Sequence, residues 1–399
     1  MPTFTIVGAS LAGLSAAATL RDRGHDDPIV VVDPSPQLPA DHPPLSKQVL
    51  SGEWEPARAV QPLADRVPEL DLDLRLGTAA TALDAATRTL QLSDGTTLCS
   101  QGIVLAMGAA ARRLSSPEPR GVHVLRDVTD AVALRTDIAG GPRHVGVIGA
   151  GFIGAEVAAT CVGLGHDVTI VEVAPVPFAR ALPGAVGAFV ADLHRDHGVD
   201  VRLGVGVQSL VSDRTGRVAG IRLADGVTVE ADVVVVGIGV NPNTDWLEGS
   251  GLEIADGVVC DATCLAAPGI TAAGDVASWF NEHYGGRMRV EHWEHAIEHG
   301  EAAALRLLGG DVDAVPFRSV PWFWSDQYDR KIQMAGRPGR DDEVHVLEGS
   351  IDERRFVAAF RRGDRCTGVL GVNRPRHVMQ ARMALRDSLD WRPIVDLFA

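Results

Sequence analysis

The hydrophobic pattern of the chain opens with an apolar run, a glycine-rich loop and a helical stretch. Residues 4–7 form the apolar run, 8–13 form the loop, and 14–23 have the composition of a helix. A second apolar run follows and ends at Asp33. This order predicts a β-α-β unit of a parallel sheet.

The same unit returns further along the chain. The apolar run 144–148 leads into the glycine-rich loop 149–154, a helix is expected to about residue 164, and the next apolar run ends at Glu172. Two copies of one unit predict two related α/β domains in a single chain.

The spacing of the small residues in both loops is typical of dinucleotide binding. The first glycine permits a tight turn, the second lets the backbone approach a pyrophosphate, and the third lets the helix pack on the strand. The phosphate then lies at the helix N-terminus. The positions are Gly8, Ser10 and Gly13 in the first copy and Gly149, Gly151 and Gly154 in the second.

An acidic residue stands at the expected distance after each loop. Asp33 comes 20 residues after Gly13, and Glu172 comes 18 residues after Gly154, where a carboxylate accepts hydrogen bonds from ribose hydroxyls. Two such sites indicate two dinucleotides, usually a flavin and a nicotinamide. Glu172 favours NADH because it repels a 2′-phosphate. Arg180 stands eight residues on and could reach the adenosine side, so this preference need not be absolute.

Further apolar runs complete both units. Residues 102–108 and 233–239 each end in glycine, and each follows a hairpin signal, Asp94-Gly95 and Asp225-Gly226 respectively. A third landmark is 269–277, where a strand is expected to end in Ala-Gly-Asp and a helix to start. Asp275 is therefore a candidate contact for a flavin ribityl hydroxyl.

Length and charge narrow the functional classes. The 399 residues suggest two to three domains. The net charge of −15 argues against nucleic acid or anionic lipid as the main partner. Residues 316–399 differ, because they carry 15 Arg or Lys and 12 Asp or Glu. The longest apolar run is too short to span a membrane, and the N-terminus enters a strand without a basic leader, so we expect a cytoplasmic protein.

The cysteines argue against thiol chemistry. The five cysteines are Cys99, Cys161, Cys260, Cys264 and Cys366, and no Cys-x-x-x-x-Cys pair occurs. A disulfide reductase needs a redox pair after the first unit, and a single-cysteine peroxidase or oxidase needs a thiolate there. Cys260 and Cys264 are expected to be packing residues. No metal site is expected, including at the histidines of 291–295.

Five segments carry a resemblance that runs essentially end to end. They are Pro43-Pro44-Leu45-Ser46-Lys47, Gly151-Phe152-Ile153-Gly154-Ala155-Glu156, Gly237-Ile238-Gly239-Val240-Asn241-Pro242-Asn243, Gly274-Asp275 and Pro321-Trp322-Phe323-Trp324-Ser325-Asp326-Gln327. With them the chain resembles the FAD-dependent, NADH-linked ferredoxin reductases, a group that includes putidaredoxin reductase and the reductases of ring-hydroxylating dioxygenases.

The resemblance implies a set of site residues. The implied FAD contacts are Gly8, Ala12, Gly13, Lys47, Thr78, Ala106, Gly108, Arg126, Asp275 and Trp293, and the spacing of the first loop adds Asp33 to them. The implied NADH contacts are Gly149, Gly151, Phe152, Ile153, Gly154, Glu172, Arg180, Ile238 and Gly239. The implied catalytic residues are Lys47, its partner Glu156, and Trp324 on the acceptor side of the flavin. Trp322 is expected to be a core residue.

The chain also departs from the family pattern at three places. The family often has Tyr-Asp-Arg before Pro-Pro-Leu-Ser-Lys, where this chain has Ala40-Asp41-His42. Pro34 stands where the family places an acid, so that Asp33 comes one position early, and Met107 replaces a common Thr. These departures concern individual adenosine and flavin-edge contacts.

The resemblance also implies a fold and a partner. We expect an α/β protein with an FAD-binding domain at 1–107 and 233–315, an NADH-binding domain at 108–232 and a C-terminal α+β interface domain at 316–399. Electrons from NADH would pass through FAD to a 2Fe–2S ferredoxin that serves a haem monooxygenase or a dioxygenase. Such ferredoxins are usually acidic, which the basic C-terminal segment would complement.

The candidate docking cations are Arg330, Lys331, Arg337, Arg340, Arg361, Arg362, Arg374 and Arg376. Two alternatives stay open. One is reduction of a rubredoxin by the same flavin chemistry. The other is a flavin-bound signalling or DNA-binding protein like apoptosis-inducing factor, against which the negative charge argues.

Overall fold

The computed structural model describes residues 3–114, 117–179 and 181–398. The helices are α1 (Leu11–Asp22), α2 (Val128–Ile138), α3 (Phe152–Gly163), α4 (Gly184–Asp196), α5 (Trp293–Gly309), α6 (Pro375–Asp387) and α7 (Trp391–Val395). The strands up to the middle of the chain are β1 (Phe4–Val7), β2 (Ile29–Asp33), β3 (Leu72–Leu76), β4 (Ala80–Asp84), β5 (Thr89–Leu92), β6 (Thr97–Cys99), β7 (Gly102–Leu105), β8 (Ala109–Ala111), β9 (Val122–His123), β10 (His144–Ile148), β11 (Asp167–Glu172), β12 (Asp200–Leu203), β13 (Val207–Ser212), β14 (Val218–Leu223), β15 (Thr228–Glu230) and β16 (Val233–Val236).

The later strands are β17 (Val240–Pro242), β18 (Ile254–Ala255), β19 (Gly257–Cys260), β20 (Leu265–Ala267), β21 (Ile270–Ala272), β22 (Ala277–Asn281), β23 (Gly286–Met288), β24 (Trp322–Gln327), β25 (Arg330–Gly336), β26 (Glu343–Ser350), β27 (Arg355–Arg362) and β28 (Arg365–Val372). Contacts divide the chain into two compact units. The first unit comprises 1–41, 60–110 and 241–321, and the second comprises 42–59, 111–240 and 322–399. The finer division into three domains stays a prediction.

The first unit is built on a six-stranded sheet of order β20-β21-β7-β1-β2-β3. Its strands β21, β7, β1, β2 and β3 run parallel. Every residue of β1 and β2 is buried, as expected for a parallel sheet covered on both faces. Helices α1 and α5 pack so closely that a Cβ at Gly300 would lie 2.2 Å from the carbonyl oxygen of Ala12.

The second unit repeats this parallel core and adds an antiparallel sheet. Its parallel sheet has the order β12-β11-β10-β16-β9, which matches β3-β2-β1-β7-β21 of the first unit strand for strand. The antiparallel sheet has the order β24-β25-β28-β27-β26. One of its faces packs against α4 through Phe189 and Phe356, whose rings meet edge to face at 5.2 Å. The predicted α/β architecture with a C-terminal α+β domain is therefore confirmed.

Local predictions hold in most places and fail in two. Both hairpins are present, as β5–β6 and β14–β15, and Cys260 and Cys264 are buried packing residues. The helix expected after Asp275 is wrong, because Gly274–Val276 is a single 3-10 turn that leads into β22. Helix α1 begins at Leu11, three residues before the expected start, so the glycine loop is tighter than the sequence suggested.

Within the described ranges, no helix is both long and apolar enough to cross a membrane. The same residues contain no cluster of three or more His, Cys, Asp or Glu side chains with metal-binding geometry. The histidines of 291–295 lie instead at the start of α5, for which His292 is the N-cap residue.

Two buried histidines are expected to make the fold sensitive to acid. Burial lowers the pKa of His194 to about 4 and that of His299 to about 3. Below about pH 6.5 the unfolded chain therefore binds protons that the folded chain does not. The free energy of unfolding consequently decreases as the pH is lowered. For His194 the shift corresponds to about 3 kcal/mol.

The check is thermal unfolding between neutral pH and about pH 4. In His299→Gln the side chain still offers an acceptor to the Gly274 amide, which donates to His299 Nδ1 at 3.3 Å, but it does not titrate. The variant should lose less thermal stability on acidification than the wild-type protein. An equal loss in both proteins would contradict the prediction.

Candidate functional site

The first glycine loop has a shape that only small residues allow. Gly8 has φ +109°, and a Cβ there would lie 2.3 Å from the carbonyl oxygen of Ala106. A Cβ at Gly13 would lie 1.8 Å from the carbonyl oxygen of Gly8. Helix α1 follows with Ser10 as its N-cap residue and no side-chain cap, which leaves N–H groups available to a phosphate.

The second loop repeats this geometry. Gly149 has φ +99°, with Gly237 taking the place of Ala106 at the same 2.3 Å. A Cβ at Gly154 would lie 2.1 Å from the carbonyl oxygen of Gly149. Helix α3 starts after Gly151 with no side-chain cap. Helix α2 is closed by a capping box from Asp127 and Asp130, whereas α4, α5, α6 and α7 also begin without a side-chain cap. The feature that sets the two glycine loops apart is therefore the close backbone approach at their glycines.

The two predicted ribose acids also occupy equivalent places. Asp33 accepts hydrogen bonds from the amides of Ala9 and Ser35, one on each carboxylate oxygen, both at 2.8 Å. Glu172 accepts from the amides of Ala150 and Ala174 in the same way, again at 2.8 Å. Each oxygen keeps a lone pair for a further donor. The carboxylates are thus hydrogen-bond acceptors fixed beside the loops, as a ribose contact requires.

The remaining first-unit candidates surround the same loop and the Gly274 turn. The amide of Ala106 donates to Val7 O at 2.8 Å and that of Thr78 to Asp33 O at 3.0 Å. Gly108 O accepts from the Asn243 amide at 3.1 Å. Ala12 is buried in the core below α1. Asp275 O accepts from Arg289 at 3.2 Å, and Trp293 Nε1 donates to Asp41 Oδ1 at 2.7 Å.

The second-unit candidates are placed at the second loop and before α2. Phe152 lies between the rings of Phe178 and Phe323, at 4.4 Å and 4.3 Å, whereas Ile153 is exposed. Gly239 has φ +98° and follows the half-buried Ile238 after β16. The half-buried Arg126 precedes α2, where its amide donates to Asp130 at 2.9 Å. Arg180 lies outside the described residues.

A buried ion pair joins the Pro-Pro-Leu-Ser-Lys segment to α3. Lys47 Nζ donates to Glu156 Oε2 at 2.7 Å, and the two side chains are 14% and 9% exposed. Ser46 Oγ donates to the same oxygen at 2.5 Å, and Ser325 Oγ of β24 donates to Glu156 Oε1 at 2.9 Å. The predicted pairing of Lys47 with Glu156 is present, with two serine donors that the sequence did not indicate.

Trp322 and Trp324 share one face of β24. Strand β24 alternates between half-buried and buried residues, and Phe323 is its aromatic residue in the core cluster. The two indole rings lie 5.2 Å apart. The expectation that Trp322 is a core residue is therefore wrong, because the two-residue period of the strand places it beside Trp324.

The thiols offer no redox centre. Burial raises the pKa of Cys161, Cys260 and Cys366 to about 12, and it raises the pKa of Cys264 well above its usual value. Such thiols resist forming the thiolate that disulfide exchange requires. Cys99, which is exposed, lies on β6 and has no neighbouring cysteine in the sequence.

Most of the candidate docking cations form ion pairs within the C-terminal segment. Arg330, Lys331, Arg361, Arg362 and Arg374 contact Asp329, Asp326, Asp364, Asp342 and Glu348 respectively. Arg340 and Arg376 are exposed. A local ion pair leaves little net field at the cation, so steering of an acidic partner rests on the overall charge balance of the segment.

Two buried polar residues near the first loop were missed by the sequence analysis. Gln61 Nε2 donates to the carbonyl oxygen of Ala9 at 2.8 Å, so the Ala9 peptide is held from both sides. His299 holds the amide of Gly274. No spacing rule indicates either residue, because each reaches its target from a distant segment.

Comparisons with known proteins agree with this geometry. Residues 2–300 match the pyridine nucleotide-disulphide oxidoreductase family, and residues 322–393 match the reductase C-terminal domain. The chain is 36% identical to rhodocoxin reductase of Rhodococcus erythropolis over 98% of this chain and 91% of the relative. It is 39% identical to the ferredoxin–NAD(+) reductase component of the anthranilate 1,2-dioxygenase system of Burkholderia cepacia, over 95% and 93%.

Among solved structures, the covalent putidaredoxin reductase–putidaredoxin complex contains a chain similar to this one. The TM-score is 0.91 at 31% sequence identity, and the match covers 99% of this chain and 95% of the other.

Proposed function

Because the chain belongs to the pyridine nucleotide-disulphide oxidoreductase family and carries a reductase C-terminal domain, we propose that it is an FAD-containing, NADH-dependent ferredoxin reductase. Its acceptor is a 2Fe–2S ferredoxin that serves a haem monooxygenase or a dioxygenase, and it works in the cytoplasm. The observation that carries the proposal is the pair of glycine loops, each with an open helix N-terminus and a fixed acid, in a chain without a redox cysteine pair.

The residues present fit two dinucleotides. When bound, NADH supplies two electrons together and FAD accepts them and releases them singly. Gly8, Gly13, Gly149, Gly151 and Gly154 leave the space that backbone needs to approach a pyrophosphate. The FAD contacts comprise Gly8, Ala12, Gly13, Asp33, Lys47, Thr78, Ala106, Gly108, Arg126, Asp275 and Trp293. The NADH contacts comprise Gly149, Gly151, Phe152, Ile153, Gly154, Glu172, Arg180, Ile238 and Gly239.

All of these contacts lie within two of the three proposed domains. The predicted FAD-binding domain comprises 1–107 and 233–315, the predicted NADH-binding domain 108–232 and the predicted interface domain 316–399. Because β16 (Val233–Val236) pairs with β10 in the parallel sheet of the second unit, the second part of the FAD-binding domain begins after this strand. The ferredoxin docks on the interface domain near Trp324. An acidic ferredoxin fits this segment because its 15 basic residues outnumber its 12 acidic residues, while the whole chain carries −15.

The Lys47–Glu156 pair gives this site a fixed cation. Glu156 accepts from Lys47, Ser46 and Ser325, so its carboxylate is satisfied as an anion and keeps the ammonium in place. A cation held beside a flavin ring stabilises the negative charge of the reduced ring. No proton-transfer residue is required, because the electrons move between stacked rings.

The proposal is tested by NADH-driven cytochrome c reduction with the FAD-loaded protein, with and without a 2Fe–2S ferredoxin. A large ferredoxin-dependent rate is expected. Ferredoxins of several oxygenase systems and a rubredoxin form the panel. If NADH bleaches the flavin but no member of the panel raises the rate, the protein has another acceptor and the proposal fails.

Nucleotide preference gives a further prediction. Glu172→Ser combined with Val173→Arg should raise the ratio of kcat/KM for NADPH to that for NADH by at least about tenfold, because a carboxylate that repels a 2′-phosphate is replaced by a cation. Val173 is 67% exposed and follows Glu172 directly, so the Arg side chain has room. Glu172→Gln is the control, since it removes the charge and keeps an oxygen acceptor. An unchanged ratio of the two kcat/KM values in the double variant would mean that Glu172 does not contact the ribose.

Trp324→Ala should slow ferredoxin reduction about tenfold more than it slows ferricyanide reduction. The indole lies on the proposed exit side, whereas a small inorganic oxidant needs no docking surface. Steady-state rates with both acceptors provide the measurement. Trp322→Ala, on the same strand face, is the matched control and should affect the two acceptors alike. An equal loss of rate with both acceptors in Trp324→Ala would mean that Trp324 has only a packing role.

A further inference from the structure

The carboxylate of Glu156 is held by donors of two different origins. Its Oε2 oxygen receives Lys47 Nζ at 2.7 Å and Ser46 Oγ at 2.5 Å, from neighbouring residues of one segment. Its Oε1 oxygen receives Ser325 Oγ at 2.9 Å, from β24. The terminal torsion of a glutamate is broad, so a donor on each oxygen is what fixes the carboxylate plane.

The Ser325 hydroxyl is itself directed. Ser325 is fully buried, and its Oγ accepts from Gln327 Nε2 at 3.2 Å, two residues along the same face of β24. With one lone pair occupied, the hydroxyl proton points to Glu156. Gln327, Ser325, Glu156 and Lys47 therefore form one continuous chain of hydrogen bonds in the second unit.

The composition of the chain sets Lys47 apart. The sequence contains two lysines, Lys47 and Lys331, against 35 arginines. An ammonium on a flexible stem is less pre-organised than a guanidinium, so its position depends on the acceptors around it. At Lys47 that acceptor is Glu156, whose orientation depends on Ser325.

We propose that Ser325 is a positioning residue for Lys47. Ser325 sets the plane of the Glu156 carboxylate, and that plane sets where the Lys47 ammonium rests. This inference rests on the proposed function in one respect, because it assigns the ammonium a place beside the flavin. Ser325 follows Trp324 directly, so the same strand of the C-terminal domain carries the proposed exit residue and fixes the cation.

The first test examines the pair without the flavin. In the apoprotein, acylation of Lys47 by a small amine reagent is followed by mass spectrometry, with Lys331 as the internal reference. Lys331 pairs with Asp326 at 2.8 Å and is half exposed. Ser325→Ala should raise the rate at Lys47 several-fold relative to Lys331, and Ser325→Thr, which keeps the hydroxyl, should restore the wild-type ratio. An unchanged ratio in Ser325→Ala would overturn the proposal.

The second test measures the midpoint potential of bound FAD. Ser325→Ala should weaken the stabilisation of the reduced flavin about tenfold, which is a shift of about 30 mV to more negative potential for a two-electron couple. Thr367→Val is the matched control, because it removes another buried hydroxyl bond to a carboxylate in the same sheet, to Asp342 at 2.6 Å. It should leave the potential unchanged.

Lys47→Met distinguishes the proposed role of Lys47 at the flavin from the proposed positioning role of Ser325. If it shifts the potential and Ser325→Ala adds nothing in its background, Ser325 acts through Lys47. If Lys47→Met shifts the potential but Ser325→Ala in the wild-type background does not, the positioning role fails while the role of Lys47 stands. If Lys47→Met leaves the potential unchanged, Lys47 is not at the flavin and the proposal falls with that assignment. Should Ser325→Ala fail to fold, Ser325→Cys fills the same space with a weaker donor and carries the same expectations.

Discussion

Replacement of Gly13 by alanine is expected to abolish FAD binding. The new Cβ would lie 1.8 Å from the carbonyl oxygen of Gly8, which is backbone and cannot turn aside as a side chain does. Gly8 itself has φ +109° and lies against the backbone of Ala106, so its carbonyl oxygen cannot easily shift away from the new Cβ. Overpacking of this kind costs about 1–3 kcal/mol or more, and here the strain falls on the turn that receives the pyrophosphate.

The measurement is the flavin content of the purified variant, followed by titration of apoprotein with FAD. Gly154→Ala is the matched change in the second loop, with a Cβ 2.1 Å from the carbonyl oxygen of Gly149. It should keep FAD and weaken NADH binding. Gly163→Ala in α3 meets no atom within 4 Å and should be neutral or slightly stabilising. If Gly13→Ala keeps FAD and Gly154→Ala loses it, the two loops are assigned in the wrong order.

Gly151→Ala distinguishes a folding effect from a ligand effect. The nearest atom to its new Cβ is the carbonyl oxygen of Gly237 at 3.9 Å, which is an ordinary contact. The protein should therefore fold normally and keep FAD. Any loss of NADH affinity would then report the close approach of the pyrophosphate, which is the role that the middle glycine is expected to have.

The repeat could be predicted from the sequence because its determinants are local. A strand, a glycine turn, a helix and an acid at a fixed distance are all read within about 30 residues. The hydrogen-bond partners of Asp33 and Glu172 are local in the same sense. Each carboxylate accepts from the amide of the residue that follows the first glycine of its own loop.

The errors arose where tertiary packing decides between local alternatives. The Trp-Phe-Trp pattern of β24 shows a period of two, but it does not tell which face of this edge strand is the more deeply buried one, and Phe323 rather than Trp322 is the core residue. Similarly, a strand followed by Gly274-Asp275 is compatible with a helix or with a turn. The turn is fixed here by two hydrogen bonds. The Gly274 amide donates to His299, and Arg289 donates to the Asp275 carbonyl oxygen.

The missed polar residues share one physical reason. Gln61, His299 and Ser325 contact the first glycine loop, the Gly274 turn and Glu156 respectively, and each contact joins residues at least 25 positions apart in the sequence. A buried polar group must find a partner, but the sequence does not say which distant group that partner is. For this reason the pairing of Lys47 with Glu156 follows from the family resemblance, whereas its serine donors are visible only in the structure.

Removal of the Glu156 carboxylate is expected to destabilise the protein strongly. In Glu156→Ala the ammonium of Lys47, 14% exposed, would lose its carboxylate, which typically costs about 3–5 kcal/mol for a buried pair. Lys47→Met in the same background removes the stranded charge and should recover most of that loss, because an apolar replacement for a buried pair is often neutral. Chemical denaturation of the apoproteins measures both variants free of the contribution of bound FAD. A loss of unfolding free energy below about 1 kcal/mol in Glu156→Ala would mean that the pair behaves like a surface ion pair. If the double variant is as unstable as Glu156→Ala, the loss comes from removed packing contacts and not from the unpaired charge.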